Sequence, residues 1–524
     1  MLHLTKLYKS VKRTIFENKS TQLRFAVTFT SNLARSVISF GANLTIARHL
    51  GPKEFGRYNF LLSSFTSIAS LADMASSSAF FTFISQKRRG IGFFLYYLIW
   101  ILIQLTFITL LPIILSGKIF DLIWLNHSLE LVIMAVLSGF MANNYWRMAG
   151  QIGESIRDTA RFQLLGLVLA VIYLVGLHVL FSLNFANLKT LYLFNIITYL
   201  LFASAYLIRV FFEGAFYLRK KEKAKLILKE FSRFCSPMVI YTLASTLYTF
   251  SDNWLLQRFG GAQQQGFYAI GAKFSSISLL ATASILNVLW KEIAEAHSIQ
   301  DFGKVRRLYN QVSRGLFFFA ALISGCLIPF SKEILGMLLG PDYVSANLIL
   351  IMMFIYPIHQ STGQITGTMF YALEKTKTQS SIGIGFIGIS LVLGYIFLAP
   401  PSAIVPGLNL AALGLAIKMV VCQLLQVNLS MFFVARYIQS NFDWKHQFYV
   451  LGLILSVGFI SKFIVGSISA IRLSIFWYIT LSTSLYLSII VLVLFQYPSL
   501  VGLEKDSINR WLHRIRHKLQ IVKW

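Results

Sequence analysis

Long apolar runs recur along almost the whole chain, and they constrain its fold more than any other feature. A helix needs about 20 mostly apolar residues to cross a bilayer, and fourteen runs come close to that length. Charged residues make up only 13% of the sequence, about half of their usual share in a soluble domain. We therefore predict an all-α polytopic membrane protein with about fourteen transmembrane helices. Their approximate positions are 22–47, 58–84, 91–115, 129–149, 162–183, 187–212, 232–257, 266–292, 308–330, 346–372, 380–399, 411–435, 447–468 and 473–496.

The charge balance favours a membrane protein over a nucleic-acid-binding one. The chain has 47 Lys and Arg residues against 20 Asp and Glu residues, which gives a net charge of +27. Most of these cations fall at the two ends and in the segments between alternate spans, as the positive-inside rule describes for cytoplasmic segments. The pattern predicts that both termini are cytoplasmic, and it points to no nucleic-acid partner.

The longest of these basic segments divides the chain into two halves. It contains RKKEKAKLILKE at residues 219–230, between the sixth and seventh predicted spans. We predict two bundles of six helices each, joined by this linker and followed by two further helices. The predicted divisions are a cytoplasmic basic arm (1–21), an N-terminal bundle (22–212), a basic linker (213–231), a C-terminal bundle (232–440), helices 13 and 14 (441–496) and a cytoplasmic basic tail (497–524).

A short charged stretch, Ile46–Tyr58 (IARHLGPKEFGRY), recurs at Leu256–Tyr268 (LQRFGGAQQQGFY). Both copies follow the first predicted helix of a half and precede the second. Because six spans separate them, the two copies lie on the same side of the membrane, and the repeat is a parallel one with its axis along the membrane normal. The matching pairs are Asn43 and Asn253, Arg48 and Arg258, Gly51 and Gly261, Gly56 and Gly266, and Tyr58 and Tyr268.

The first copy is predicted to be a hinge between two helices rather than a site of chemistry. Gly51 and Pro52 would end the first helix, Gly56 would free the backbone, and Tyr58 would begin the next helix at the interface.

The same stretch carries a family resemblance. Arg48–Tyr58 has the order Arg–x–Leu–Gly–x–x–x–x–Gly–x–Tyr, and residues 43–80 resemble the first two helices of the polysaccharide-exporting branch of the MOP superfamily. This branch contains the Wzx-type flippases of O-antigen and capsule units, relatives of the lipid II flippase and of the MATE exporters. Similar elements follow at residues 251–274, 334–346 and 406–418, so the resemblance covers roughly residues 20–440.

The resemblance implies a transporter, not an enzyme, in the inner membrane of a bacterium. Its members flip an undecaprenyl-pyrophosphate-linked sugar unit of lipopolysaccharide or capsule between leaflets, through a cavity between two six-helix bundles. The sequence has no Gly-x-x-x-x-Gly-Lys-Ser/Thr motif for ATP, so we predict a secondary transporter without cofactor or metal. The expected partners are the lipid-linked oligosaccharide, membrane lipids, a proton or sodium ion, and other membrane proteins of polysaccharide assembly.

Cations within the predicted spans are the first candidates for substrate binding. A charge in the membrane core costs about 2.5–3.5 kcal/mol on insertion scales, so such residues face protein or a cavity. Arg and Lys pair well with phosphate oxygens, and a pyrophosphate offers several. We predict a cationic cavity in which Arg35 has Asn32 one helical turn away. Its four cations are Arg35, Lys273, Arg314 and Lys418.

Two carboxylates within the spans, Asp73 and Asp252, have two interpretations. Each could form a buried ion pair that locks a bundle. Alternatively, Asp252 could take up a proton and couple transport to the ion gradient. Asp252→Asn distinguishes them, because the first interpretation predicts an unstable protein and the second a stable but uncoupled one.

Polar and aromatic residues complete the candidate site. The candidates for stacking on sugar are Tyr145, Trp146 and Tyr241. His359 lies in a span that Pro357 and Gly363 are predicted to break. Broken helices expose backbone groups to a cavity. Helices 13 and 14 either add packing surface or form a groove for the polyprenyl tail.

Two other functions compete with the flippase. A MATE-like cation-coupled drug antiporter should have an acidic cavity, whereas this chain has more Arg and Lys than Asp and Glu within its spans. A membrane-embedded O-antigen polymerase or glycosyltransferase needs large outer loops with catalytic residues, and every predicted outer loop here is short.

Overall fold

The computed structural model describes residues 21–87, 89–115, 117–185, 187–213, 223–468 and 474–503. Every regular element in these ranges is a helix, which confirms the predicted fold class. Each of the fourteen predicted spans is largely helical, although several are divided between two helices. By length and composition, nine helices of the described chain can cross a membrane, or eleven if each of two bent helix pairs is one span.

The chain forms two compact units, Met1–Gly266 and Phe267–Trp524. The described residues of the first unit form ten helices and the start of an eleventh. They are α1 Thr21–Asp73, α2 Ser76–Gln86, α3 Ile91–Ile114, α4 Lys118–Trp124, α5 Leu129–Phe140, α6 Trp146–Ser155, α7 Thr159–Ser182, α8 Leu188–Phe212, α9 Ala224–Cys235, α10 Val239–Leu255 and the start of α11 Gly261–Ser298.

The part of the second unit that the structure describes holds the rest of α11 and seven further helices. They are α12 Phe302–Leu327, α13 Ser331–Leu339, α14 Asn347–Ala372, α15 Thr376–Leu398, α16 Ala411–Tyr437, α17 Trp444–Ile468 and α18 Ile475–Gln496. Large apolar side chains are exposed on most of the spans, as expected for surfaces that face lipid.

The hinge predicted between the first two spans is a single residue. Helix α1 runs from Thr21 to Asp73, and only Gly51 leaves the helical conformation, with φ 69° and ψ 170°. Pro52 then begins the next helical segment, where its missing N–H costs nothing. Gly56 lies inside that segment, so the prediction that it frees the backbone was wrong.

The second copy of the repeat has the same backbone geometry. Gly261 has φ 79° and ψ 177°, nearly the values of Gly51, and it also begins a long helix. Positive φ with an extended ψ is accessible essentially only to glycine. The sequence repeat is therefore also a structural repeat, centred on one glycine in each copy.

The start of the seventh predicted span is displaced. Residues 224–235 form the separate amphipathic helix α9, and the apolar helix α10 begins only at Val239, after the short turn Ser236–Met238. The prediction that a span begins at 232 was therefore wrong, because the apolar residues at the end of α9 resemble the start of a span in sequence. Helix α9 also crosses the predicted boundary at 231–232 between the linker and the second bundle.

The last two spans pack onto α12 within the second unit. Gly325 of α12 touches Ile454 of α17 so closely that an added Cβ would lie 2.4 Å from the Ile454 side chain. The Tyr486 hydroxyl of α18 donates a hydrogen bond to the Leu322 carbonyl oxygen at 2.9 Å. These contacts pack α17 and α18, the predicted helices 13 and 14, onto α12, and a groove for the polyprenyl tail stays a prediction.

Candidate functional site

The two copies of the repeat pack against each other, backbone on backbone, inside the first unit. A Cβ atom added to Gly56 would lie 1.7 Å from the carbonyl oxygen of Ala262. One added to Gly266 would lie 2.0 Å from the carbonyl oxygen of Pro52. Both distances are shorter than any real contact, so only glycine fits at these two positions. The sequence identity of the two glycines thus reflects their contact with each other.

Aromatic packing fixes the first copy in place. Phe55 is fully buried, and the ring of Tyr58 stacks on Tyr192 of α8 with centroids 5.2 Å apart. The Tyr192 hydroxyl also donates a hydrogen bond to the Tyr58 carbonyl oxygen at 3.2 Å. The helix that carries Gly56 is therefore anchored to the body of the first unit.

Arg35 extends from α1 into the interior of the same unit. Its guanidinium donates a hydrogen bond to the Asn32 side chain at 2.9 Å, which joins two residues that helical spacing places one turn apart. The Nη1 atom lies 3.1 Å from the point that a Cβ on Gly166 of α7 would occupy, and Trp146 lies 3.5 Å from that point. Gly166 therefore leaves the space that the guanidinium uses.

Sequence reasoning missed Gly166, because a single glycine in an apolar helix has no distinctive pattern. Tyr145 ends a π-helical turn, Met141–Tyr145, which rotates the following residues relative to α5, and Trp146 begins α6 directly after it. The Tyr145 hydroxyl lies 3.0 Å from the Ser204 hydroxyl, so the predicted sugar contact has a protein partner in this state. Trp146 packs on Phe162 with ring centroids 4.6 Å apart.

Asp73 caps a break in the second predicted span. Met74 and Ala75 have positive φ, and α1 and α2 meet there at a bend of 56°. The Asp73 carboxylate accepts hydrogen bonds from the Ser76 and Ser77 hydroxyls at 2.8 Å and from the Ser77 backbone N–H at 3.0 Å. The Ser77 N–H is one of the backbone donors left unpaired at the start of α2, so Asp73 stabilises a helix end.

Substituting Asp73 with alanine is expected to destabilise the protein by about 1 kcal/mol, the usual cost of a lost helix cap. Asp73→Asn keeps an accepting oxygen and should restore most of that stability. Thermal unfolding in detergent measures both. If Asp73→Ala unfolded like the wild type and yet failed to transport, the carboxylate would have a role other than capping.

The predicted cations of the second unit lie in different surroundings. Lys418 of α16 is completely buried, and Lys273 of α11 is partly buried. Arg314 of α12 donates to the Asp443 carboxylate at 2.7 Å and to the Ser499 carbonyl oxygen at 3.5 Å. Arg314 thus joins α12 to segments outside the spans, and its role in substrate binding, like those of the two lysines, stays a prediction.

His359 lies in an unbroken helix. Helix α14 continues through Pro357 and Gly363, so the predicted break in this span was wrong. His359 is 5% exposed, and its ring meets Phe317 edge-on at 5.7 Å. One turn further along α14, Thr362 lines a small cavity of about 60 Å³, which residues of α12, α16 and α17 also line within the second unit.

A salt bridge outside the spans holds the linker helix α9 to the turn between α2 and α3. Glu230 accepts from Arg89 at 2.5 Å and pairs with Lys87 at 3.4 Å. Burial alone would raise the pKa of Glu230, but the hydrogen bonds and charges of Arg89 and Lys87 outweigh it and lower the pKa below its ordinary 4.5.

This direction gives a pH dependence. A carboxyl group whose pKa is lower in the folded state stabilises that state above its unfolded pKa, near 4.5, and loses the contribution as the pH falls through the folded value. Wild type should therefore unfold at a higher temperature than Glu230→Gln at pH 7. The difference should shrink as the pH falls below 4.5. A difference that did not depend on pH would show that the charge of Glu230 contributes nothing.

The profile of one protein family, described as polysaccharide biosynthesis protein, matches residues 24–290. This match spans half of the chain and covers the repeat, Arg35 and Asp73. The chain belongs to the polysaccharide biosynthesis protein family. Among curated proteins, none matches the sequence significantly.

Solved structures show which fold this polysaccharide biosynthesis protein shares. Lipid II flippase MurJ in an inward closed conformation has a TM-score of 0.64 at 15% identity, over 92% of this chain and 100% of its own. An outward-facing multidrug resistance MATE transporter of the MOP superfamily has a TM-score of 0.52 at 13% identity, over 79% and 95%. A MOP superfamily transporter from Pyrococcus furiosus also scores 0.52 at 13% identity, over 80% and 96%. The polysaccharide biosynthesis protein is thus a multi-pass membrane protein with a MOP-type transporter fold.

Proposed function

We propose that this protein is a secondary transporter that flips a polyprenyl-pyrophosphate-linked oligosaccharide across the bacterial inner membrane. One observation carries the proposal: a member of the polysaccharide biosynthesis family has the fold of a lipid flippase over nearly the whole chain. Membership of the polysaccharide biosynthesis family suggests a sugar-containing substrate, and the similarity to a flippase fold suggests transport. A lipid-linked sugar is the substrate class that combines both.

The cations within the spans are the proposed contacts for the pyrophosphate. Arg35 is half-buried and lies, like the Trp146 ring, next to Gly166, whereas Lys418 is completely buried. A buried cation that meets a phosphate forms stronger hydrogen bonds than a neutral donor does. Trp146 is an aromatic surface of the kind on which a sugar ring packs.

Alternating access is proposed to use the glycine contact of the repeat. When Gly56 and Gly266 touch, the two repeat turns leave no space between their backbones. Parting them would open a path at this side of the membrane, and closing them would seal it. Both copies face the same side because the repeat is parallel.

The direct test uses purified protein in liposomes that contain a fluorescent lipid-linked oligosaccharide. A membrane-impermeant glycosidase added outside removes the sugar only from the outer leaflet. The expected result is that about half of the substrate is cleaved in empty vesicles and nearly all of it in vesicles that contain the protein. Cleavage that stops at the outer-leaflet share in both would refute the proposal.

A cation antiporter is the second candidate, and the buried carboxylate Asp252 favours it. Asp252 is 6% exposed in α10, and carboxylates inside membranes often carry a proton or a sodium ion. Uptake of a cationic dye into the same vesicles, driven by a proton or sodium gradient, tests this function. Dye uptake without any sugar translocation would favour the antiporter, and loss of gradient dependence in Asp252→Asn would assign the coupling.

A further inference from the structure

The linker helix α9 exposes leucines and basic residues outside the face that contacts the protein. Leu226 and Leu228 are 59% and 72% exposed, whereas Ile227 between them is 6% exposed. Exposed leucines on both sides of a docked face are costly in water. Their exposure indicates that another apolar medium covers at least one side of the helix.

The far side of α9 is strongly basic. At 100° per residue, Lys225, Lys229 and Arg233 share the face opposite Ile227, and all three are exposed. Lys223 directly before the helix adds a fourth exposed cation. Glu230, the carboxylate within α9, is already paired with Arg89 and Lys87, so it does not offset this charge.

The position of α9 places this charge at the edge of the bilayer. Phe231 packs on Phe83 at the end of α2 and on Phe93 at the start of α3, with ring centroids 5.3 and 5.8 Å apart. Phe234 packs on Phe83 at 5.7 Å. Because α3 begins a membrane span at Ile91, a helix docked against its first turns lies at the level where spans leave the membrane.

We propose that α9 is an interfacial helix that binds the headgroups of anionic phospholipids. Its leucines enter the boundary of the acyl chains, and its Lys and Arg side chains reach the phosphates, as in other basic amphipathic helices on membranes. The sequence just before it, with Arg219, Lys220 and Lys221, adds to the positive charge. Binding holds the linker between the two predicted bundles against the membrane surface.

Amide hydrogen exchange of the full-length protein in nanodiscs tests this binding. Residues 224–235 are compared in discs of phosphatidylcholine and in discs of an equimolar mixture with phosphatidylglycerol. The expected result is slower exchange in the anionic discs, reversed by high salt, which screens charges at the surface. Equal exchange in the two lipids would overturn the proposal.

A charge-removing variant makes the test specific. Lys225→Gln/Lys229→Gln/Arg233→Gln should abolish the difference between lipids, since each cation lost near an anionic surface lowers affinity about fivefold. The matched control, Lys304→Gln/Lys377→Gln/Lys445→Gln, removes the same charge from exposed lysines of the second unit and should keep the difference. If the control lost it equally, net charge and not α9 would be responsible.

The docking to α2 and α3 separates a lipid effect from unfolding of the helix. The triple glutamine variant retains Ile227, Phe231 and Phe234, so its exchange in phosphatidylcholine should equal that of the wild type. Leu226→Ser/Leu228→Ser keeps the cations and should raise exchange in both lipids. If RNA or a soluble acidic protein slowed the exchange of residues 224–235 in phosphatidylcholine discs, and phosphatidylglycerol did not, lipid would not be the partner.

Discussion

Substituting Gly56 with alanine is expected to lower the rate of substrate flipping by one to two orders of magnitude. The added methyl group would lie 1.7 Å from the Ala262 carbonyl oxygen, so the two repeat turns must move apart. Overpacking of this kind costs about 1–3 kcal/mol, which changes the population of a conformation about 5- to 150-fold. Gly266→Ala should have a similar effect, because its methyl group would meet the Pro52 carbonyl oxygen from the other side.

Gly41 supplies the matched control on the same helix. A Cβ added there has no atom within 4 Å, and alanine is favoured over glycine in a helix by up to about 1 kcal/mol. Gly41→Ala should therefore transport normally and unfold at the same or a higher temperature. The rate is measured with the glycosidase assay in liposomes, and the amount of folded protein by size-exclusion chromatography.

The glycine experiment also tests the role assigned to the contact. If the closed contact belongs to the transport cycle, Gly56→Ala should bind substrate but translocate it slowly. If the contact only stabilises the fold, Gly56→Ala should lose folded protein in proportion to its loss of transport. Wild-type stability together with wild-type transport would contradict both roles and the geometry itself.

The spans were predictable because their signal is physical and local. A bilayer requires about 20 apolar residues in a helix, so each run in the sequence marks its own position. The repeat was predictable for a related reason: positive φ at Gly51 and at Gly261 demands glycine in both copies. The contact between Gly56 and Gly266 was not predictable, since it joins residues far apart in sequence.

Breaks within spans were the least predictable part of the fold. Pro357 pointed to a broken helix, but α14 is continuous, because a helix in a membrane tolerates proline where neighbours satisfy the freed groups. The second predicted span does break, at Met74 and Ala75, where no proline or glycine signals it. At this break, the Asp73 carboxylate accepts hydrogen bonds from Ser76 and Ser77. The sequence could not show this, because a lone acidic residue in an apolar run is equally consistent with an ion pair or a proton carrier.

The candidate site also has features that were predictable from the sequence and features that were not. Helical spacing is local, so Asn32 was predictable as the neighbour of Arg35, and their hydrogen bond confirms that proximity. Gly166 and Trp146, which shape the space around Arg35, come from other helices and needed the structure. Arg314 appeared equivalent to Arg35 in sequence, whereas its partner Asp443 lies in a segment between spans.

Arg35→Ala is expected to reduce flipping about 10- to 100-fold without loss of folded protein. Charge-assisted hydrogen bonds contribute about 1.5–3 kcal/mol, and each 1.4 kcal/mol is a factor of about ten. The substitution removes a hydrogen bond to the neutral Asn32 side chain and leaves a small space next to Gly166, so the cost to the fold is expected to be small. The glycosidase assay in liposomes measures the effect.

Conservative substitutions separate charge from shape at this position. Arg35→Lys keeps the charge but loses the planar fork that matches two phosphate oxygens, so an intermediate rate is expected. Gly166→Val keeps Arg35 but fills the space beside its Nη1 atom, and it should reduce transport as well. Lys118→Ala removes an exposed cation from α4 and serves as the control with an unchanged rate.

The order of the four rates decides what Arg35 contributes. A pyrophosphate contact predicts that wild type and Lys118→Ala are fastest, Arg35→Lys is intermediate, and Arg35→Ala is slowest. A purely structural role for Arg35 predicts instead that unfolding temperature falls in the same order as transport, since the guanidinium would then act through its packing beside Gly166. If Arg35→Ala flips substrate at the wild-type rate while fully folded, the phosphate must be bound by other cations, and the completely buried Lys418 is the next to substitute.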